Sequence, residues 1–377
     1  MGLKTVAEIN KYQSVSINPM EHPNQIFELY SVPSFDNQYP EIIKGSEIGS
    51  SKITVEEGDV LVCKINPRIN RVWVVKHHTK YPLLASSEWI VVRNGEIESN
   101  YLKWYFSSPP FRNMLTSQVA GIGGSLTRAQ PKQVAKYPVP IPARSVQQDI
   151  VCYLDKVSDL ISLRKQQLAK LDALIKSRFV ELFGNVQDDR MTTMEEVCSI
   201  ITDGTHQSPK FVTEGIPFLF VSNIVTNAIT YNAEKFITEE TYNELIKRTP
   251  IAIGDILLST VGSYGHPAVV KMVTPFCFQR HIAYLKPKAD IIDSTYLHAA
   301  ILSPNVQRQI EERVKGIAQK TLNLSEIRKL RFPMPSMELQ EQFAAFVNQT
   351  DKSKLAVQQS LDKLKVLKKA LMQKYFG

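Results

Sequence analysis

A chain that repeats itself must fold a similar core twice, and this one repeats itself in order. Gly58-Asp59-Val60-Leu61 returns 196 residues on as Gly254-Asp255-Ile256-Leu257, each time opening an apolar, β-rich run that closes at Val74-Val75 or Val269-Val270. Three further blocks return 195 residues on: Tyr101-Leu102 with Ser108-Pro109 as Tyr296-Leu297 with Ser303-Pro304, Val119-Ala120-Gly121-Ile122 as Val314-Lys315-Gly316-Ile317, and Tyr137-Pro138-Val139-Pro140 as Phe332-Pro333-Met334-Pro335. The closing Leu182-Phe183-Gly184 returns as Tyr375-Phe376-Gly377, 193 residues on. Ordered matches at a nearly constant offset are the mark of a tandem duplication. They map the 377 residues onto two globular modules, 1–146 and 191–338, a long helix after each, 147–184 and 339–377, and a linker at 185–190.

The helices follow from spacing. From Gln147 to Phe183 there is no Pro or Gly, and Ile150, Leu154, Val157, Ile161, Leu168, Leu171, Ile175 and Leu182 recur at alternating intervals of three and four, with Arg164 and Arg178 filling the gaps. That is a coiled-coil seam, and long cations can lay their stems along one. The second copy, Phe343, Val347, Val357, Leu361, Leu364, Leu371 and Tyr375, is interrupted by Thr350, Lys354 and Lys368. A helix of about 36 residues rises ~54 Å and cannot bury such a stripe alone, so the two are expected to pair antiparallel; the alternative is that each folds back on its own module. Leu160, Leu163, Leu174 and Phe179 fall off the seam and are candidates for a further protein interface. Gly184 is expected as a left-handed helix cap.

Within each module, short β-branched runs such as Lys52-Ile53-Thr54-Val55, Val60-Leu61-Val62 and Trp89-Ile90-Val91-Val92 alternate with Gly and Pro turns, and one helix near 99–118 follows, an α+β reading. In module one a loop between strands carries Lys64, Asn66, Arg68, Asn70 and Arg71, donors that suit phosphates and base edges. Its counterpart in module two offers Ser263, Tyr264 and His266 instead. A constant framework with different loops is what one scaffold reading two sequences requires; free divergence of exposed loops gives the same pattern. Arg128 and Lys132 after the turn Gly121-Ile122-Gly123-Gly124, Lys320 and Thr321 after Gly316, Thr205 and His206, and the trio Gln279-Arg280-His281 complete the candidate contacts, with structural roles as the alternative for each.

Lys plus Arg number 45 against 37 Asp plus Glu, a net charge of +8 that suits a polyanionic partner as well as a merely basic surface. Cys63, Cys152, Cys198 and Cys277 lie too far apart for a disulfide framework or a zinc knuckle. The opening MGLKTVAEIN has no signal-peptide core, Val6 stands where a myristoylation signal wants Ser or Thr, and no stretch approaches the ~18 apolar residues of a membrane span, so a cytoplasmic protein with no membrane partner is expected. There is no HExxH, no phosphate loop and no nucleophile elbow. Ser108-Pro109-Pro110-Phe111 has the look of the tetrapeptide that amino-group DNA methyltransferases place beside their base. Its repeat partner is Ser303-Pro304-Asn305-Val306, and a Ser cap with Pro entering a helix explains both.

Thr202-Asp203-Gly204-Thr205-His206 through Phe218-Leu219-Phe220-Val221-Ser222-Asn223-Ile224, Gly254-Asp255-Ile256-Leu257, and the Pro-rich hinge leading to Gln340-Glu341-Gln342 resemble the specificity subunit of type I restriction-modification systems, over the whole chain. The resemblance implies two target recognition domains separated by an antiparallel helical spacer, each reading half of a split target in double-stranded DNA. It also implies partners that supply all catalysis: two DNA methyltransferase (modification) subunits that methylate adenine with S-adenosylmethionine, and restriction/translocase subunits using ATP and Mg, with no metal or cofactor bound by this chain. Module one departs from the pattern in lacking the Asp-Gly-Thr-His run. The alternatives are a stand-alone DNA methyltransferase and a regulatory or scaffold relative; a DNA mimic would be acidic, which this chain is not.

Overall fold

The repeated Gly-Asp pair is a turn that launches the central strand of each module. Gly58 and Gly254 take φ of 90° and 92°, a region that a side chain disfavours. The Asp59 carboxylate accepts the Glu56 N–H at 2.9 Å, and Asp255 accepts that of Ala252 at 2.7 Å, closing the same turn twice. Both carboxylates are buried and matched: Asp59 grips Arg93 at 2.8 and 2.7 Å, whereas Asp255 accepts the Tyr284 hydroxyl at 2.6 Å and meets the Lys286 ammonium at 3.2 Å. The computed structural model describes residues 2–117, 119–120, 127–184, 190–316 and 320–377.

From these turns, Val60–Cys63 runs antiparallel between Val72–Val74 and Trp89–Val92, and Ile256–Ser259 runs antiparallel between Pro267–Val269 and Ile282–Pro287. Every residue of both central strands is buried, which is why they read as unbroken apolar runs rather than alternating ones. Each module adds a second sheet containing a parallel pair, Ile26–Tyr30 with Leu83–Ala85 in one and Ile216–Leu219 with Cys277–Phe278 in the other. Each also pairs its first strand antiparallel with the strand before its long helix: Gly2–Thr5 with Pro138–Ile141, and Met191–Thr193 with Arg331–Pro333. Thr5 with Glu8 and Thr193 with Glu196 then form matching capping boxes, whose N–H and hydroxyl donors hold both glutamates below the usual carboxylate range.

Where one helix near 99–118 was expected there are two, Ser99–Phe106 and Pro109–Ser117, mirrored by Ser294–Ile301 and Pro304–Arg313. The break has a simple cause: Ser108 and Ser303 cap the second helix of each pair and the following Pro enters it, so the first helix must stop.

The long helices run Arg144–Phe183 and Met337–Phe376. Each is braced near its start by a buried glutamine. Gln147 accepts the Glu98 N–H and donates to the Pro142 carbonyl, at 3.0 and 2.9 Å; Gln340 does the same with Asp293 and Pro335, at 2.9 and 3.0 Å. The chain divides into two units, Met1–Arg164 with Ser360–Gly377, and Lys165–Gln359, so each unit holds one module and a part of both long helices. In the first unit the start of the first helix lies beside the end of the second: Arg164 donates to the Ser360 hydroxyl at 3.2 Å, and Met372 and Phe376 join Ile150 and Leu154 in the module's core. In the second unit the relation is reversed. Lys354 meets Asp172 at 2.7 Å, and Phe179 and Phe183 pack on Phe343 with ring centroids 5.6 Å apart. The pairing is antiparallel within each unit, and the half-buried positions 161, 164, 168, 171, 175, 178 and 182 follow the seam with both arginines included.

Two expectations are corrected. Phe179 is not outward: it is 4% exposed, ringed by Phe183, Tyr296 and Phe343 in the core of the second unit. The end of each helix enters a module core, where off-seam positions are covered too. Gly184 does not take a positive φ; its N–H donates to the Val180 carbonyl at 2.7 Å and continues the helical pattern. Among the described residues no helix is long and apolar enough to cross a membrane, and no group of His, Cys, Asp and Glu could hold a metal ion.

Candidate nucleic-acid interface

Beyond the central strand of each module, the backbone enters a crossing of three segments built by the same contacts twice. In the first unit Lys64 donates its N–H to the Glu88 carbonyl and accepts that of Ala129, both at 2.9 Å; Asn66 donates to Thr127 at 3.0 Å, and Ile65 lies opposite Arg128. In the second unit Thr260 donates to His281 at 2.9 Å and accepts from Leu322 at 2.8 Å; Gly262 donates to Lys320 at 3.2 Å, and Val261 lies opposite Thr321. The hydrogen bonds therefore equate Lys64 with Thr260, Asn66 with Gly262, Glu88 with His281, Thr127 with Lys320, and Arg128 with Thr321. The backbone is shared and all five side chains differ.

In the second unit the crossing gathers candidate residues scattered along the sequence. Thr205 lies opposite Gln279, donates its N–H to Phe278 at 3.1 Å and accepts that of Arg280 at 3.0 Å. Gly204 is required there, since a Cβ would stand 2.3 Å from the Phe278 carbonyl oxygen and 2.4 Å from that of Gln279. Thr205, Gln279, Arg280, His281, Lys320 and Thr321 thus share one edge, with Ser263 on the exposed turn of the same loop. Burial, with Arg280 beside it, lowers the His281 pKa below its ordinary value and favours a neutral ring. Tyr264 and His266 turn toward the scaffold instead: Tyr264 packs on the module core, and His266 Nδ1 lies 3.0 Å from the Asn227 side-chain oxygen. His206 Nε2 sits 2.8 Å from Asp203, whose other oxygen takes Arg248 at 2.5 Å, a cation that sequence reasoning missed.

In the first unit the crossing brings together Lys64, Asn66 and Arg128, and adds Glu88, which no motif announced. Arg128 meets the Glu88 carboxylate at 3.1 Å. Asn66 and Asn70 take φ of 47° and 51°, left-handed values that asparagine tolerates, so the loop uses them first as turn formers. Asn70 donates its amide to the Phe106 carbonyl at 2.9 Å, and Arg71 is mostly buried with Nε 4.0 Å from Asp36, which takes both out of easy reach of a ligand. Arg68 stands exposed at the loop tip and Lys132 on the short helix Pro131–Val134. The turn Gly121–Gly124 lies outside the described residues, as does Ile317. Asn66 Oδ1, Glu88 Oε2 and Thr127 Oγ1 in the crossing, with Asn70 Oδ1 and Arg71 Nε farther along the loop, are buried with no hydrogen-bond partner among the described residues.

Leu160, Leu163 and Leu174 remain on the outside of the first long helix, 42%, 53% and 47% exposed. Ser108 and Phe111 are fully buried and the Ser108 hydroxyl accepts the Phe111 N–H, so the Ser-Pro-Pro-Phe string is a helix entry. A cavity of about 520 Å³ in the second unit, walled by Ile175, Phe179, His298, Val347 and Lys354, contains none of the residues of the crossing.

A duplicated β-rich module, each copy with the same loop crossing and followed by a long helix that pairs antiparallel within each unit, defines a tandem-repeat protein. The chain belongs to the family described as the type I restriction modification DNA specificity domain, whose model matches residues 2–173 and again 191–366. It is 27% identical over 177 residues to the EcoBI type I restriction enzyme specificity subunit of Escherichia coli, covering 46% of this chain and 37% of that one. It is 22% identical over 201 residues to the putative MjaX specificity subunit of Methanocaldococcus jannaschii, covering 51% and 47%. The matches thus span less than half the length of these curated relatives. Among solved structures, a chain of a type I restriction-modification system studied for complex assembly and conformational transition shares the fold at a TM-score of 0.59 and 19% identity, over 100% of this chain and 97% of that one. The type I S subunit from M. genitalium does so at 0.58 and 12%, over 100% and 96%.

Proposed function

We propose that this chain is the non-catalytic subunit that reads a two-part DNA target, module one one half-site and module two the other, and directs adenine methylation and restriction by partner subunits. The observation that carries the reading is the twice-built crossing: identical backbone hydrogen bonds present Lys64, Asn66, Glu88, Thr127 and Arg128 in one module and Thr260, Gly262, His281, Lys320 and Thr321 in the other. Divergent side chains on one backbone are what two different half-sites demand, and Arg, Lys, Asn, Thr and His are the donors and acceptors that read base edges and phosphates. Family membership supports DNA sequence recognition. Two methyltransferase subunits would bring S-adenosylmethionine and restriction/translocase subunits ATP and Mg, with Leu160, Leu163 and Leu174 offered to one of them.

The helix pair then sets the unread gap. A 40-residue helix rises ~60 Å, about 18 base pairs at ~3.4 Å each, an upper limit on the separation of half-sites. The test is a genome-wide map of methylated adenine in cells that express the chain with its partner methyltransferase, before and after a seven-residue insertion in the middle of both helices. Such an insertion adds about 10 Å, or up to about 3 base pairs. The gap should lengthen while both half-sites keep their sequence; an unchanged gap, or a single undivided target, refutes the proposal.

A further inference from the structure

We infer that Glu88 and Arg128 form the base-reading pair of module one, with Arg128 contacting guanine and Glu88 as its positioning residue. The inference rests on the DNA-reading role proposed above and names the chemistry of one position within it. A carboxylate on a surface that meets a polyanion is repelled unless it has local work to do, and Glu88 has it: its Oε1 lies 3.1 Å from Arg128 Nη2. The two residues sit on different segments of the crossing, Glu88 held through its carbonyl by Lys64 and Arg128 set opposite Ile65, so backbone hydrogen bonds fix both ends of the pair.

The asymmetry of exposure gives direction. The Arg128 side chain is 59% exposed and that of Glu88 25%, so the guanidinium leads and the carboxylate stands behind it. One edge of the guanidinium is thereby occupied, and among the described residues nothing else holds the rest of its planar fork, which can take guanine O6 and N7 together, the pairing for which an oriented arginine is suited and a swinging one is not. Glu88 Oε2 and Thr127 Oγ1, buried and without a partner among the described residues, lie on the same two segments as the pair. Module two carries His281 and Thr321 at the equivalent positions, so the pair belongs to one half-site alone.

The test uses the full chain assembled with its partner methyltransferase subunits, selecting from a pool of duplexes randomised across both half-sites, with Glu88→Gln and Arg128→Lys as variants. Both keep side-chain size, and Arg128→Lys keeps the charge. Preference for guanine at one base position of one half-site should fall roughly 5- to 150-fold in each variant, the worth of a bidentate contact, while the other half-site and the thermal midpoint are unchanged. Affinity lost evenly across all sequences would make Arg128 a phosphate contact, and unchanged preferences would make the pair scaffold; either result overturns the assignment. Wild-type protein selecting no sequence would overturn the reading role itself, a distinct failure.

Discussion

Replacing Phe179 with alanine separates the two places that this residue could occupy. By spacing it belongs to the outer face of the first long helix, but the structure puts it in the core of the second unit, stacked on Tyr296 at 5.7 Å and edge-on to Phe343 at 5.6 Å, with Phe183 at 5.0 Å. A buried Phe→Ala change costs about 3–5 kcal/mol in transfer and cavity terms, and the loss of three ring contacts places Phe179→Ala in the upper half of that range. With a urea slope of about 2 kcal/mol per molar, the unfolding midpoint of this unit should fall by about 2 M. All three tryptophans, Trp73, Trp89 and Trp104, lie in the other unit, so far-UV circular dichroism and hydrogen exchange across 190–316 are the readouts to use. Leu174→Ala, at an exposed position on the same helix, is the control and should stay within about 0.5 kcal/mol. If Phe179→Ala cost no more than Leu174→Ala, and instead weakened capture of a partner subunit, the buried placement would be wrong and the residue would return to the outer face.

Gly204→Ala forces a methyl group into the Phe278 and Gln279 carbonyls, so it should cost about 1–3 kcal/mol and blur only the half-site read by module two; a methylation map with both half-sites sharp would refute this. Gln340→Leu leaves the Asp293 N–H unpaired beneath the helix start and should destabilise by about 1–3 kcal/mol in urea titration, and a neutral result would remove the glutamine brace from the account. His298 lies with Nε2 3.1 Å from the Asn227 and Pro267 carbonyls; burial lowers its pKa below 6.5, helped by Lys271 and opposed by those carbonyls and Asp351. Its neutral form is the one that the fold prefers, so its stabilising contribution is complete above pH 6.5 and is lost as pH falls through that value toward the lowered one. His298→Gln should remove that part of the acid slope in thermal melts from pH 8 to 5, and an identical slope in both proteins would count against it.

What was legible in the sequence is what is local. The Gly-Asp turn, the Ser-Pro helix entry and the three-and-four seam each need only a few neighbouring residues to act, so their repetition exposes the duplicated frame and the helix pairing. The seam rule misplaced Phe179 because it counts a single partner helix, whereas the helix end is also roofed by a module core. Glu88 and Thr127 escaped notice for another reason: neither belongs to a motif, and they become neighbours of Arg128 only when three segments cross.

That difference bears on how specificity is built. Comparing the two halves residue by residue finds nothing in common between the loop of Lys64–Arg71 and that of Thr260–His266, which invites the conclusion that the loops are unrelated. The hydrogen bonds say otherwise, because Lys64 and Thr260 make the same donation and the same acceptance within 0.1 Å. Backbone groups hold the crossing, so most of its side chains, Asn66 at its left-handed turn excepted, are released from structural duty and can vary without loss of fold. The few that are tied down, Asn70 to Phe106 and His266 to Asn227, should tolerate least exchange, and those at equivalent places in the crossing, Glu88 and Arg128 against His281 and Thr321, are where one module can acquire a different target while keeping its core and its helix.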